Sequence, residues 1–236
     1  MFVRFDSAEA GGRSDRKQRH GGPSLIDECE GRGRAHDGER MSSRRGGGVK
    51  ASLGVLTGSL VFEPTPRIDD HGFGVCTFDA DVAWAVGLDG RRLVQETQTR
   101  TRRGGVRGLH VRTDGGVGLL VHCTHGAVVD VAVDLRPASP TYRLWMTVVL
   151  DDIAHRSVWL PEGLAHGYQA LSDTADVCSR ISRVERPDLE LTIRYDDPEL
   201  AIPWPLPVTT LSPRDDGALG LAVIEPMLAE WFGALV

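Results

Sequence analysis

The reactive side chains of this chain narrow its chemistry before any fold is considered. Lysine occurs only at Lys17 and Lys50, so whatever the folded part does it must do without a side-chain amine. Four cysteines, Cys29, Cys76, Cys123 and Cys178, are far apart and form no C-x-x-C pair, which argues against a structural zinc site. Three of them sit in apolar, strand-like runs, where a small buried thiol is the ordinary reading over a disulfide. Histidines and carboxylates remain. Among them are His110 in RGLH, His166 in LAHGY and Asp215 in LSPRD. Taken alone, they could also be structural: a His capping a strand end, a His bonded to a neighbouring strand, and an Asp starting a helix.

Short strands have to position these residues. From Val55 onward, runs rich in Val, Leu, Ile and Thr recur between Gly, Pro and Asp turn signals. GLLVHCT (118–124) and AVVDVAVDL (127–135) flank His125-Gly126 as a hairpin. LWMTVVL (144–150), SVWL (157–160), HGYQAL (166–171), DVCSRISR (176–183) and LELTIRY (189–195) continue the series, so a β-sandwich or barrel is expected. Only the tail from Gly217 has helical length, and Pro226 should interrupt it or cap a second helix.

Residues 1–50 differ in kind. They are rich in Gly and Arg, with 11 Lys/Arg against 8 Asp/Glu, and hold few apolar residues to offset ordering entropy. A disordered extension over 1–50 and a folded domain over 51–236 are expected, with Met41 an alternative start. The remainder, with 16 basic against 25 acidic residues, is too acidic for a nucleic-acid binder. No run of about 18 apolar residues and no signal-peptide h-region is found, so no membrane span is expected and a cytoplasmic location fits.

The punctuation between the strands is specific. RGGVRGLH (103–110), DVAVDLRPASPTY (130–142), WLPEGLAHGYQALSDTADV (159–177), IRYDDPELAIPWPL (193–206) and LSPRD (211–215) occur in that order. Together they resemble the dTDP-4-dehydrorhamnose 3,5-epimerase family over roughly 55–216. The resemblance implies an all-β, cupin-type jelly-roll barrel with short C-terminal helices, a homodimer with exchanged strands, and a dTDP-4-keto-6-deoxyhexose substrate epimerised at C3 and/or C5. Such a reaction needs a base, a stabiliser for the enolate oxygen and an acid on the opposite face, but no cofactor. A cupin metal site would need H-x-H and a following Glu, whereas Val111 and Arg112 follow His110, so no metal is expected.

Residue by residue, the resemblance makes His110 the base and Asp215 the carboxylate that orients it. Arg107 matches a diphosphate-binding arginine, Gln95 a nucleotide contact (with Thr97 replacing the usual Asn), and His166 a second pocket histidine. The family's enolate-stabilising lysine falls on Leu119, and its acid tyrosine on Ser179. A later tyrosine pair falls on Val184 and Glu185. The acid/base set is therefore altered, and the alternative is a homologue that binds a sugar nucleotide but is inactive or does different chemistry. His122 should face away from Leu119, since strand neighbours alternate. Tyr168 and Tyr195 should be packing groups.

Overall fold

The computed structural model describes residues 48–233. The expectations for residues 1–47, including Met41 as a start and the buried or paired state of Cys29, lie outside the described residues. The expected boundary at residue 50 moves slightly, because the first strand, β1, already begins at Val49 (Val49–Leu53).

Two antiparallel sheets form the body. The six-stranded sheet runs β1, β2 (Leu60–Pro64), β10 (Ser157–Leu160), β7 (Leu119–His125), β12 (Thr174–Ile181), β5 (Gln95–Arg102). The five-stranded sheet runs β13 (Glu190–Thr192), β6 (Val106–Arg112), β11 (Leu164–Ala170), β8 (Ala127–Asp134), β9 (Trp145–Asp151). A small hairpin, β3 (Arg67–Asp69) with β4 (Gly72–Gly74), stands apart. The inner faces meet in a core that includes Val121, Val128, Ala132, Val148, Leu160 and Val177. The strand period explains the choice: Val128 and Ala132 point inward, while Val131 and Val133 join a second core on the outer face of the five-stranded sheet.

Helix α3 (Leu221–Gly233) covers that outer face through Leu221, Ile224 and Leu228, a helical spacing that packs on Leu109, Val111 and Val131. Contrary to expectation, Pro226 does not break it. Pro226 sits on the exposed side, and buried residues anchor the helix on both sides of it. Two further helices are α1 (Ala80–Ala85) and α2 (Pro213–Asp216). The first was not expected from the sequence; Asp79 caps it, its side chain accepting from the backbone N–H groups of Asp81 and Val82.

Three details correct the strand and cysteine readings. The strand expected over 189–195 shortens to Glu190–Thr192, after which Ile193 makes a lone parallel bridge to Leu219. Cys123 and Cys178 are buried, but Cys76 is exposed, since it follows β4 in a connecting segment rather than lying in a strand. Cys123 is also inert at neutral pH, because burial pushes its thiol pKa up to about 12. Among the described residues no helix is long and apolar enough to cross a membrane.

Candidate active site

Between the sheets lies a cavity of about 160 Å³. The five-stranded sheet contributes His110, Arg112, His166 and Glu190 to its lining. The facing sheet contributes Thr97, Leu119, Leu160, Ser179 and Ile181, and Glu185 stands in the loop after β12.

His110 reaches the cavity through an irregularity in β6. On β11, His166 pairs with His110 and Tyr168 with Arg107, so Gly108 and Leu109 together oppose the single Gly167. This is a β-bulge. It demands glycine on both sides: a Cβ on Gly108 would lie 2.6 Å from the His166 carbonyl oxygen, and one on Gly167 would lie 2.7 Å from that of Arg107. Gly108 also has φ 115°, a value side chains resist. In a regular strand Arg107 and His110, three apart, would face opposite ways; the bulge sets both on the inner face.

Asp215 sits behind His110. Ser212 caps α2 by accepting from the Asp215 N–H at 3.1 Å, and Pro213 fills the first helical position. This leaves the Asp215 carboxylate to accept from His110 Nε2 at 2.7 Å. Burial pushes the Asp215 pKa up, but hydrogen bonds from His110, Ser212 and the Gly108 backbone outweigh it and hold the carboxyl below its usual range. On the other side of the ring, Nδ1 lies 3.4 Å from Glu190, itself held at 3.0 Å by Arg214.

A second pair repeats the arrangement. His166 Nε2 lies 2.7 Å from Asp130 Oδ2, and Asp130 is only 1% exposed. Here burial prevails and raises the carboxyl pKa, although the charge and hydrogen bond of His166 pull the other way. Neither Asp130 nor Glu190 was picked out from the sequence. Asp130 had a signal: it shares the inner face with Val128 and Ala132, and a carboxylate in such a run requires a partner. Glu190 had none, because an acidic residue starting a short strand is commonplace.

The cavity thus gathers His110, His166, Leu119 and Ser179, with Asp215 directly behind. Arg107 and Gln95 lie outside its lining. Arg107 is exposed, its Nε donating to Thr101 Oγ1 at 3.0 Å. Gln95 borders a neighbouring hollow with Phe78 and Arg180, and its Oε1 accepts from the Glu185 N–H at 3.0 Å. Leu120 on β7 packs in a third cluster, with Leu60, Phe62 and Trp159, on the outer face of the six-stranded sheet, so His122, two residues on, also faces outward. Tyr168 is buried with its hydroxyl against Thr99 and Thr101 at 2.7 and 3.1 Å, and Tyr195 meets Trp204 edge-on. Among the described residues no group of three or more His, Cys, Asp or Glu gathers as metal ligands would.

Two facing antiparallel sheets with a histidine-bearing cavity between them make this a cupin-type barrel, and comparison with known proteins narrows the class. Residues 54–222 match the model of the dTDP-4-dehydrorhamnose 3,5-epimerase family. A dTDP-4-dehydrorhamnose 3-epimerase of Streptomyces niveus is 44% identical over 166 residues, 69% of this chain and 80% of that protein. The crystal structure of NovW, a 4-keto-6-deoxy sugar epimerase from the novobiocin gene cluster of Streptomyces spheroides, superposes with a TM-score of 0.72 at 40% identity, covering 77% of this chain and 92% of NovW. A dTDP-6-deoxy-D-glucose 3,5-epimerase of Legionella pneumophila, solved with dTDP-4-keto-L-rhamnose, gives 0.72 at 36% identity over 77% and 97% of the two chains. The chain belongs to the dTDP-4-dehydrorhamnose 3,5-epimerase family.

Proposed function

We propose that the chain is a sugar-nucleotide isomerase that takes the proton from a carbon beside the C4 ketone of a dTDP-4-keto-6-deoxyhexose. This is the first half of epimerisation at C3 and/or C5. The observation that carries it is the His110–Asp215 pair at 2.7 Å on the wall of the cavity. With Asp215 ionised, Nε2 carries the ring hydrogen and Nδ1 is left as the base. Asp215 then stabilises the imidazolium that forms, as a buried carboxylate does for a catalytic histidine elsewhere. Arg107, exposed on the same face of β6, is suited to the diphosphate, since a planar fork matches phosphate oxygens. Gln95, beside Glu185, would meet the nucleotide at the rim.

The second half of the reaction is altered. At the cavity wall Leu119 offers no charge to an enolate oxygen, and the Ser179 hydroxyl is a far weaker acid than a phenol. These two residues favour a second reading, a homologue that binds the nucleotide without turning it over. Incubation with dTDP-4-keto-6-deoxyglucose in D₂O separates the readings: loss of the C3 or C5 proton signal is expected. Binding of dTDP without any exchange would leave only the second. The reading includes a homodimer with exchanged strands, supported by β1 at a sheet edge with Leu53 81% exposed, and light scattering of the full chain tests it.

A further inference from the structure

The two walls of the cavity are chemically unequal. The strand residues lining it that can carry charge all belong to the five-stranded sheet: His110 and Arg112 on β6, His166 on β11, Glu190 on β13. The facing wall presents Leu119, Leu160 and Ile181, with only the hydroxyls of Thr97 and Ser179. Glu185 is the one lining carboxylate outside the five-stranded sheet. It is exposed in the loop after β12, with its backbone tied to Gln95. Arg112 is already neutralised, bound by Asp114 at 3.1 and 2.7 Å and by the Val184 carbonyl at 3.1 Å.

Inverting a carbon requires a proton source on the ring face opposite the base, and the facing wall supplies none of useful acidity. The base wall, in contrast, carries two imidazoles side by side. His110 and His166 are a registered pair on neighbouring strands, roughly 4.8 Å apart in the sheet. Each has its Nε2 held at 2.7 Å by a buried aspartate, which leaves Nδ1 for proton exchange, that of His110 lying 3.4 Å from Glu190.

We propose, resting on the reading of His110 as base, that this site returns the proton to the face it came from and so moves the ketone from C4 to C3. His110 takes the C3 hydrogen, and the C–H electron pair becomes a C3=C4 double bond as negative charge gathers on O4. O4 gains a proton as O3 loses one, giving an enediolate whose charge now lies on O3. The double bond then takes a proton at C4 from protonated His166 while O3 becomes the carbonyl oxygen, and the proton held by His110 passes to His166, directly or through solvent, to restore both rings. One proton has moved between carbons and one between oxygens, so the product is an isomer and no other reactant is consumed. For a gluco-configured substrate the new C4 hydrogen lies on the face that C3–H left, which sets the C4 hydroxyl axial. Epimerisation is then limited to what water can deliver from the facing wall.

The test uses the full chain with dTDP-4-keto-6-deoxyglucose in D₂O, quenched with sodium borohydride, and NMR to place deuterium in the reduced sugars. Borohydride delivers protium to a C4 ketone, so deuterium at C4 arises only from the transposed isomer. The expected result is C4 deuterium next to an axial C4 hydroxyl. His166→Asn should lower C4 labelling at least tenfold while C3 exchange falls less than threefold. Deuterium at C3 or C5 with inverted configuration and none at C4 would overturn the transposition but leave proton abstraction standing, as would C3 label with retention alone. No deuterium at any carbon, with dTDP bound, would overturn both.

Discussion

Replacing Asp215 with Asn tests the base directly. The residue is 3% exposed and sits at the third position of α2, where the Ser212 cap holds its backbone, so an amide of the same shape should fit. Its chemistry differs. The ionised carboxylate accepts from Nε2 at 2.7 Å and fixes the tautomer with Nδ1 unprotonated, facing Glu190 at 3.4 Å. An amide can donate to Nε2 instead, which places the hydrogen on Nδ1 and removes the base. A positioned base is worth about 10²–10⁴ in rate, or about 2.7–5.5 kcal/mol of barrier at ~1.36 kcal/mol per decade. The rate of C3 proton loss in D₂O, followed by NMR, should fall by that factor while dTDP affinity stays within about twofold. The effect on stability has a definite sign. A folded pKa held below the unfolded value stabilises the fold above the unfolded pKa of about 3.9, and the contribution is lost as pH falls through the lower folded value. The stability difference between wild type and Asp215→Asn should therefore shrink in strong acid. Exchange within threefold of wild type at neutral pH would refute the assignment of His110 as a base oriented by Asp215.

Other outcomes follow from the same geometry. Asp130, its pKa raised mainly by burial, weakens the fold as pH rises from about 3.9 through the higher folded value, so Asp130→Asn should flatten the fall in stability above about pH 3.9 while lowering C4 labelling; an unchanged urea-unfolding profile would count against it. Gly108→Ala puts a Cβ 2.6 Å from the His166 carbonyl at a left-handed φ, and should cost on the order of 1–3 kcal/mol by thermal unfolding and abolish exchange. Leu119→Lys with Ser179→Tyr supplies an enolate partner and an acid to the facing wall, and should raise formation of the C3-inverted product by about 10²-fold or more. Arg107→Ala removes a charge-assisted contact of about 1.5–3 kcal/mol, which titration with dTDP should read as roughly tenfold or greater weakening.

Much of this architecture is written in local pattern. The strands from β7 to β12 are legible because Val-rich runs alternate between turn residues, and the hairpin at Gly126 because glycine sits between two such runs. His110 and Asp215, 105 residues apart, were joined only by resemblance, since nothing in their spacing brings a strand middle to a helix start. Asp130 was legible in principle, as a carboxylate on an inward face, whereas the role of Glu190 depends on where the edge strand β13 docks. The bulge at Gly108 escapes a period-two reading because it breaks the period. Pro226 misled for a related reason: propensity describes an isolated helix, and burial of Leu221, Ile224 and Leu228 decides this one. Arg107 and Gln95 were matched to diphosphate and nucleotide contacts, and they stand beside the cavity rather than in its lining, Arg107 exposed and Gln95 at a neighbouring hollow.

The bulge also joins the reacting group to a distant layer. Leu109, next to His110, is fully buried on the other side of the sheet among Ile193, Ile224 and Leu221. The aim of the imidazole is thus set from behind, by how Leu109 seats under a helix none of whose described side chains lines the cavity. Changes in that outer layer would act as a fine adjustment on His110, the proposed base, because Ile224 and Leu109 share one packed cluster. Selection on turnover in this protein would therefore leave its marks beneath α3 as readily as in the cavity itself.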